Sequence, residues 1–281
     1  MKQMIMIAFV AICSFGANAQ VKTPQPSPKA LINQMIGLTD VEIEYSRPGM
    51  KGRTIFGDLV PFAKMWRTGA NANTTISFTD NVTIGGKELK KGKYALYTVP
   101  KADVWEVIFY TTTDNWGTPE TFDEAKVALR TTAKPELTTK NVENFTIALT
   151  TLDNNFGILE LSWEKTVVAL KIDVPTQKMA MASIEKTLSG PVAGDYFSAA
   201  QFFLQSNGDS AKALEYVNKA IEMNAEKPFW YSRLKSLIQA KLGDKKGAVE
   251  TAKVSMAAAE IAKNQDYVKM NKDSIMEWTK K

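Results

Sequence analysis

The spacing of apolar and polar positions changes once along the chain, near Pro175. Before that point the period is two. Val41, Ile43 and Tyr45 alternate with Glu42 and Glu44, as in a strand with one buried face. Thr74–Phe78 and Asn81–Ile84 read as extended, and Gly85-Gly86 is a hairpin turn signal. Lys90-Lys91-Gly92-Lys93 predicts a second turn, and Tyr94–Val99 a strand ended by Pro100. Trp105–Tyr110 is apolar on both faces, so it is expected to be central. Glu143–Thr150 alternates through Phe145, Ile147 and Leu149. Ile158–Trp163 and Val167–Val174 read as a further pair joined by a turn at Glu164-Lys165-Thr166, and Asp123–Leu129 as a short helix. Short strands, many turns and almost no helix predict an all-β antiparallel sandwich over residues 36–175, with a closed barrel as the alternative.

After Pro175 the period is 3.6. Thr176–Leu188 reads as a helix that docks the two parts together. Asn207-Gly208-Asp209 then recurs 35 residues on as Leu242-Gly243-Asp244, and each Gly-Asp opens a helix carrying Ala at the same place, Ala213 and Ala248. Trp230 and Leu234 precede the second Gly-Asp as Tyr196 and Ala199 precede the first. This resembles tetratricopeptide helix pairs, whose period is about 34. The match covers roughly 195–262, with a last helix near 264–278. The expected fold class is therefore an all-β sandwich domain followed by an all-α, tetratricopeptide-like region over 176–281. Tyr196, Phe197, Phe202, Phe203, Trp230 and Tyr231 read mainly as its core, and a groove for a protein partner is the functional alternative.

Residues 1–19 have the form of a secretory signal. Lys2 is the basic start, Met4 to Phe15 is apolar, and Ala17-Asn18-Ala19 fits a cleavage site that leaves Gln20 first. The expected location is periplasmic or secreted. No later run is long and apolar enough to predict a membrane span. Pro24, Pro26 and Pro28 mark residues 20–35 as an extended linker.

Charge adds one local feature. Residues 36–175 hold 16 basic and 18 acidic residues, a net of −2, whereas 176–281 hold 16 and 12, a net of +4. The basic excess of the tail is dispersed, unlike the clustered stripe of a nucleic-acid surface, so no nucleic-acid partner is expected. Within the net-acidic domain, the stretch from Arg47 to Arg67 holds five basic residues and one acid. It lies in a loop, 46–73, too long for a tight turn, and long ordered loops often carry function. The candidate ligand-binding residues are Arg47, Arg53, Asp58, Trp66, Arg67, Asn71 and Asn73, with Trp116 from further on. Arginine forks suit carboxylate, sulfate or phosphate, tryptophans stack on sugars or other flat groups, and asparagines donate and accept. The expected ligand is small and anionic or carbohydrate-like.

Other chemistry has little support. The chain has no histidine, and its one cysteine, Cys13, lies in the leader. Histidine-dependent triads, thiolate nucleophiles and the usual metal sites are thus removed, and no metal or cofactor is expected. Gly85-Gly86-Lys87 lacks phosphate-loop spacing, Asp58 lacks a partner carboxylate, and Glu42 and Glu44 read as solvated charges. Asp153-Asn154-Asn155 reads as a turn rather than a calcium loop, and Ser183-Ile184-Glu185-Lys186 falls in a predicted helix.

Ser-Arg-Pro at 46–48, Gly-Arg-Thr-Ile-Phe-Gly-Asp-Leu-Val-Pro at 52–61, Trp-Arg-Thr-Gly-Ala-Asn at 66–71 and Gly-Lys-Tyr-Ala-Leu-Tyr-Thr-Val-Pro at 92–100 together resemble a bacterial exported family known only as a domain of unknown function. Trp105 and Asn115-Trp116-Gly117 fit as well. The resemblance spans about 36–175 and implies a β-rich extracytoplasmic domain without an assigned activity. Three readings remain open: a non-catalytic binding protein of the cell envelope, an enzyme acting on a carbohydrate or anionic ester, and a purely structural module. In the last, Arg47, Arg53 and Arg67 only pin the loop to Asp58 and to carbonyls, and Ile55, Phe56, Leu59, Val60, Phe62 and Trp66 plug the sheet end.

Overall fold

Strands with alternate apolar positions must cover one face, and two such sheets can cover each other. The computed structural model describes residues 23–187 and 190–280. The expected leader, with Cys13, lies outside the described residues.

The β domain contains β1 (Lys29–Ile36), β2 (Thr39–Ser46), β3 (Thr74–Phe78), β4 (Val82–Ile84), β5 (Lys87–Leu89), β6 (Gly92–Val99), β7 (Trp105–Tyr110), β8 (Val127–Ala133), β9 (Pro135–Thr150) and β10 (Phe156–Asp173). They form two antiparallel sheets, ordered β1-β2-β3-β6-β7-β8 and β5-β4-β10-β9. Register places the apolar sets on shared faces. Ile43, Ile76 and Tyr94 form one row, and Leu96, Phe109 and Leu129 another. Leu161 opposite Ile147 and Ile84 opposite Ile172 supply the second sheet, and both sets meet in one core. The far face of β6 and β7 is buried too, since Ala95, Tyr97, Ile108 and Tyr110 lie under Met65 and Phe122. This explains why Trp105–Tyr110 is apolar on both sides. At the β4–β5 hairpin both Gly85 and Gly86 have positive φ, as a two-residue turn of this hand requires.

Four local expectations need correction. Residues 29–35, assigned to the linker, form edge strand β1 together with Ile36, and Ala30 and Ile32 pack partly on the core. The expected pair at 158–174 is one strand, β10. Glu164 takes φ 55° and shifts the register against β9 without turning the chain back. The helix expected at 123–129 is only a single 3-10 turn, Glu124–Lys126, before β8 begins. The turn expected at 90–93 ends sooner, since β6 starts at Gly92.

The tail has six helices among the described residues: α1 (Thr176–Thr187), α2 (Ala193–Gln205), α3 (Ser210–Met223), α4 (Phe229–Lys241), α5 (Lys245–Ile261) and α6 (Gln265–Thr279). Asp209 caps α3 by accepting from the Ala211 and Lys212 N–H groups, and Asp244 caps α5 by accepting from Gly247 N–H. Asn264 caps α6 in the same way, through Tyr267 N–H. Ala213 and Ala248, the repeated alanines, are fully buried. From α2 onward each helix packs against its successor. No helix among the described residues is long and apolar enough to cross a membrane.

Candidate ligand-binding cleft

The loop leaving β2 first ties itself to the opposite sheet. Phe145 N–H donates to Pro48 O at 2.9 Å, and Met50 N–H donates to Glu143 O at 2.7 Å. It then closes a small turn in which Val60 N–H donates to Ile55 O and Gly57 N–H donates to Val60 O. Ile55 and Val60 are buried, and Phe56 packs edge-on against Trp66, Trp105 and Trp163. Trp66 next joins the end of β6, exchanging backbone hydrogen bonds with Thr98, and stacks on Trp163 with ring centroids 5.8 Å apart. Thr68 and Asn71, both at positive φ, return the chain to β3.

The three arginines of this loop have different partners. Arg47 donates from Nε to Phe145 O and from Nη2 to Thr146 Oγ1. Arg53 donates from Nε to Met50 O and from Nη2 to Gly49 O. Both have therefore spent the two-donor Nε/Nη2 edge of the guanidinium on the protein itself. Arg67 donates from Nη1 to Asn71 O at 2.7 Å, and its Nε/Nη2 edge has no partner among the described residues. The guanidinium lies against Gly117, where a Cβ would sit 3.1 Å from Nη1 and 3.2 Å from Cζ. A Cβ here would push the guanidinium back by a few tenths of an ångström, and φ of 107° at Gly117 also favours glycine. Tyr97 fastens that turn: its phenol oxygen accepts from Asn115 Nδ2 and donates to Gly117 O. Burial pushes the Tyr97 phenol up, against a smaller lowering by the Asn115 hydrogen bond.

These elements enclose a cleft of about 540 Å³ at the end of the sandwich. Lys51, Arg53 and Arg67 supply three cations, and among the described residues no carboxylate lines it. Trp66, Trp163 and Val60 supply apolar surface. The indole N–H groups of Trp66 and Trp163 are already donated to Gly69 O and Glu143 O, so these rings offer carbon rather than polarity. Trp116 stands on the rim with 79% of its surface exposed. Pro26 and Ser27, just before β1, form part of the wall, and Asn71 Nδ2 donates to Ser27 O. Among the described residues no group of three or more His, Cys, Asp or Glu side chains is placed to hold a metal ion.

Of the eight candidates, the structure brings together Arg53, Trp66, Arg67, Asn71 and Trp116. Arg47 lies apart, lining a groove beside β9 with Glu143 and Thr146. Asp58 is exposed, lines none of the cleft and makes no ion pair among the described residues. Asn73 is buried and acts within the frame, its Nδ2 donating to Thr74 O and Thr113 O. Its Oδ1 is buried without a hydrogen-bond partner. Sequence reasoning passed over Lys51, Ser27, Gly117 and Trp163. Lys51 was visible in the loop's charge, whereas Trp163 reads like any core-facing strand residue.

Fold and cleft together define a two-sheet β domain with a cationic, aromatic-floored recess at one end and a helical tail. Residues 27–172 match the family described as protein of unknown function DUF2911, and the chain belongs to that family. The match includes β1, which the sequence resemblance had left outside, and stops before the helices. No curated protein and no solved structure shows significant similarity to the chain.

Proposed function

We propose that this is an exported, non-catalytic binding protein of the cell envelope, and that the cleft at the end of its β domain holds a small anionic ligand. The observation that carries this reading is the Arg67 side chain. It lines the cleft beside Lys51 and Arg53, makes no ion pair among the described residues and has its Nε/Nη2 edge unspent. A paired N–H edge of this kind gives the strong, bidentate form of carboxylate, sulfate or phosphate binding. A lining without histidine, cysteine or carboxylate supports binding over turnover, because it leaves Lys51 as the one candidate base among the described lining residues and offers no thiol nucleophile. Export is supported by Lys2, the apolar Met4 to Phe15 stretch and Ala17-Asn18-Ala19.

A thermal-shift series on the chain starting at Gln20 tests the cleft. A ligand that binds only the folded state raises its stability by RT ln(1 + [L]/Kd). Sulfate, phosphate and small carboxylates are expected to raise the midpoint in wild type and not in Arg67→Ala. If no anion moves the wild-type midpoint, the reading fails.

The structural-module reading draws on all three arginines: Arg47 and Arg53 pin the loop to carbonyls and to Thr146, and Arg67 Nη1 donates to Asn71 O. It leaves the free edge of Arg67 without a purpose. For the tail, the recurrence of capped Gly-Asp turns at 35 residues and the two sealed alanines support a tetratricopeptide-like repeat. A crystal structure in which α2–α3 superposes on α4–α5 at that offset is the expected result. Clearly different crossing angles in the two pairs would contradict it.

A further inference from the structure

We infer that the anion held in this cleft is the carboxylate of a uronic-acid saccharide, with a sugar ring seated on Trp116. The inference rests on the anion-binding reading above and adds the class of ligand.

Two neighbouring features point to it. The first is the Nε/Nη2 edge of Arg67. Its two parallel N–H groups match the two oxygens of a planar carboxylate, and neither nitrogen is among the buried unpartnered atoms. The second is Trp116. An indole that is 79% exposed makes no contribution to the core, yet it presents a flat carbon surface to solvent. Trp116 precedes Gly117, the residue against which the Arg67 guanidinium rests, and Arg67 and Trp116 both line the cleft. That turn is not loose. Tyr97 and Asn115 tie it down, and Asn73 N–H donates to Asn115 O at 3.1 Å.

A pyranose ring has one face of C–H groups, a rim of hydroxyls and, in a uronic acid, a carboxylate at its edge. The C–H face fits an exposed indole, and the carboxylate fits the adjacent guanidinium. The rim can be met by Lys51 and by the Ser27 hydroxyl, both in the cleft wall. A purely aromatic acid would gain most from a sealed apolar slot, whereas this recess has its largest free aromatic surface at its open rim. Inorganic phosphate or sulfate would use Arg67 but would leave Trp116 unused. The volume of about 540 Å³ accommodates more than one sugar unit, within the roughly 300–1,000 Å³ usual for small-molecule sites.

The test is calorimetric titration of the chain from Gln20 with di- and trisaccharides of galacturonate, glucuronate and mannuronate. The comparison ligands are the neutral parent sugars, benzoate and inorganic phosphate. At least one uronide is expected to bind more tightly than phosphate or benzoate, with no heat from its neutral parent. Arg67→Lys, which keeps the charge and removes the fork, is expected to weaken that uronide about tenfold or more. Trp116→Ala is expected to weaken the uronide about tenfold and to leave phosphate binding unchanged. Because Trp116 is exposed, this variant is expected to fold as wild type, which its far-ultraviolet circular dichroism and thermal midpoint check. Uronides no tighter than phosphate, or unchanged uronide affinity in Trp116→Ala, would overturn the saccharide inference while leaving an anion site. Absence of heat from every anion would overturn both readings.

Discussion

Trp66 and Thr98 exchange two backbone hydrogen bonds: Trp66 N–H donates to Thr98 O at 2.7 Å, and Thr98 N–H donates to Trp66 O at 3.0 Å. Since β3 pairs with β6 only as far as Thr74 opposite Leu96, one loop residue continues the sheet where the strand stops. Trp66 and Thr98 therefore point to the same side as Leu96, which is the core side. The loop is both the lid of the hydrophobic core and the wall of the cleft, and Trp66 serves both.

Removing Trp66 should consequently unseat the plug. Its ring meets Phe56, Trp105, Phe145 and Trp163. Trp66→Ala is expected to cost about 3 kcal/mol, the lower end for a large aromatic because the residue is half-buried. Urea unfolding followed by near-ultraviolet circular dichroism of the tryptophans checks this. A loss within about 0.5 kcal/mol, as for an ordinary surface change, would show that the loop does not close the core.

Gly117→Ala should disturb stability and binding together. Gly117 has φ 107°, where an L side chain is strained by about 1–3 kcal/mol, and its Cβ would press on the Arg67 guanidinium. Lower thermal stability and weaker anion affinity are expected in the same variant. Lower stability with wild-type affinity would mean that Arg67 is not positioned by this contact.

The alkaline limb of the stability curve should report Tyr97. Burial raises its phenol above the ordinary value of 10.0, more than the Asn115 hydrogen bond lowers it. The sign follows from linkage: the neutral phenol is favoured in the folded state, so this contribution is complete below about pH 10 and is lost as pH rises through the folded value. Tyr97→Phe should be less stable than wild type at neutral pH, by about 1 kcal/mol for the lost hydrogen bonds. It should also lose less stability on going alkaline. Parallel curves for the two proteins above about pH 10 would contradict this assignment.

Sulfate binding should be insensitive to pH and sensitive to salt. Among the described residues the cleft is lined by no carboxylate, and the chain has no histidine, so no ordinary side-chain titration of the lining falls between about pH 5 and 9; the α-amino group, at about 8, is not among the described lining residues. Its cations are partly solvated, and raising ionic strength shortens the screening length from roughly 10 Å at 0.1 M to 3 Å at 1 M. Isothermal titration at several pH values and salt concentrations measures both. A midpoint inside that pH window would require a titrating group other than the lining residues named here.

Much of the β domain could be read from alternation, because burying one face of a strand leaves a period of two. Val41, Ile43 and Tyr45 show it plainly, and β2 is where they predict it. Edge strand β1 was hidden by its neighbours: Pro24, Pro26 and Pro28 suggest a linker, and Leu31 and Met35 are exposed apolar residues that blur the alternation. In β10 the polar run Glu164-Lys165-Thr166 looks like a turn, and only the backbone at Glu164 shows that it is a bulge. The candidate cleft was legible in part, as a basic loop with aromatic neighbours. Which arginine stays available was not, because Arg47 is claimed by Phe145 O, 98 residues away in the chain. That Trp116 lines the same cleft as Arg67 depends likewise on a turn, Asn115–Gly117, about 50 residues on from Arg67.

The central claim, that Arg67 alone among the three loop arginines is free to grip an anion, is tested most directly by one titration. Sulfate affinity is measured side by side in wild type, Arg47→Lys, Arg53→Lys and Arg67→Lys, each of which keeps its charge and loses its fork. The structure predicts affinity about tenfold or more weaker in Arg67→Lys and within about twofold of wild type in Arg47→Lys and Arg53→Lys. Wild-type affinity in Arg67→Lys, or an equal loss in Arg47→Lys, would contradict it.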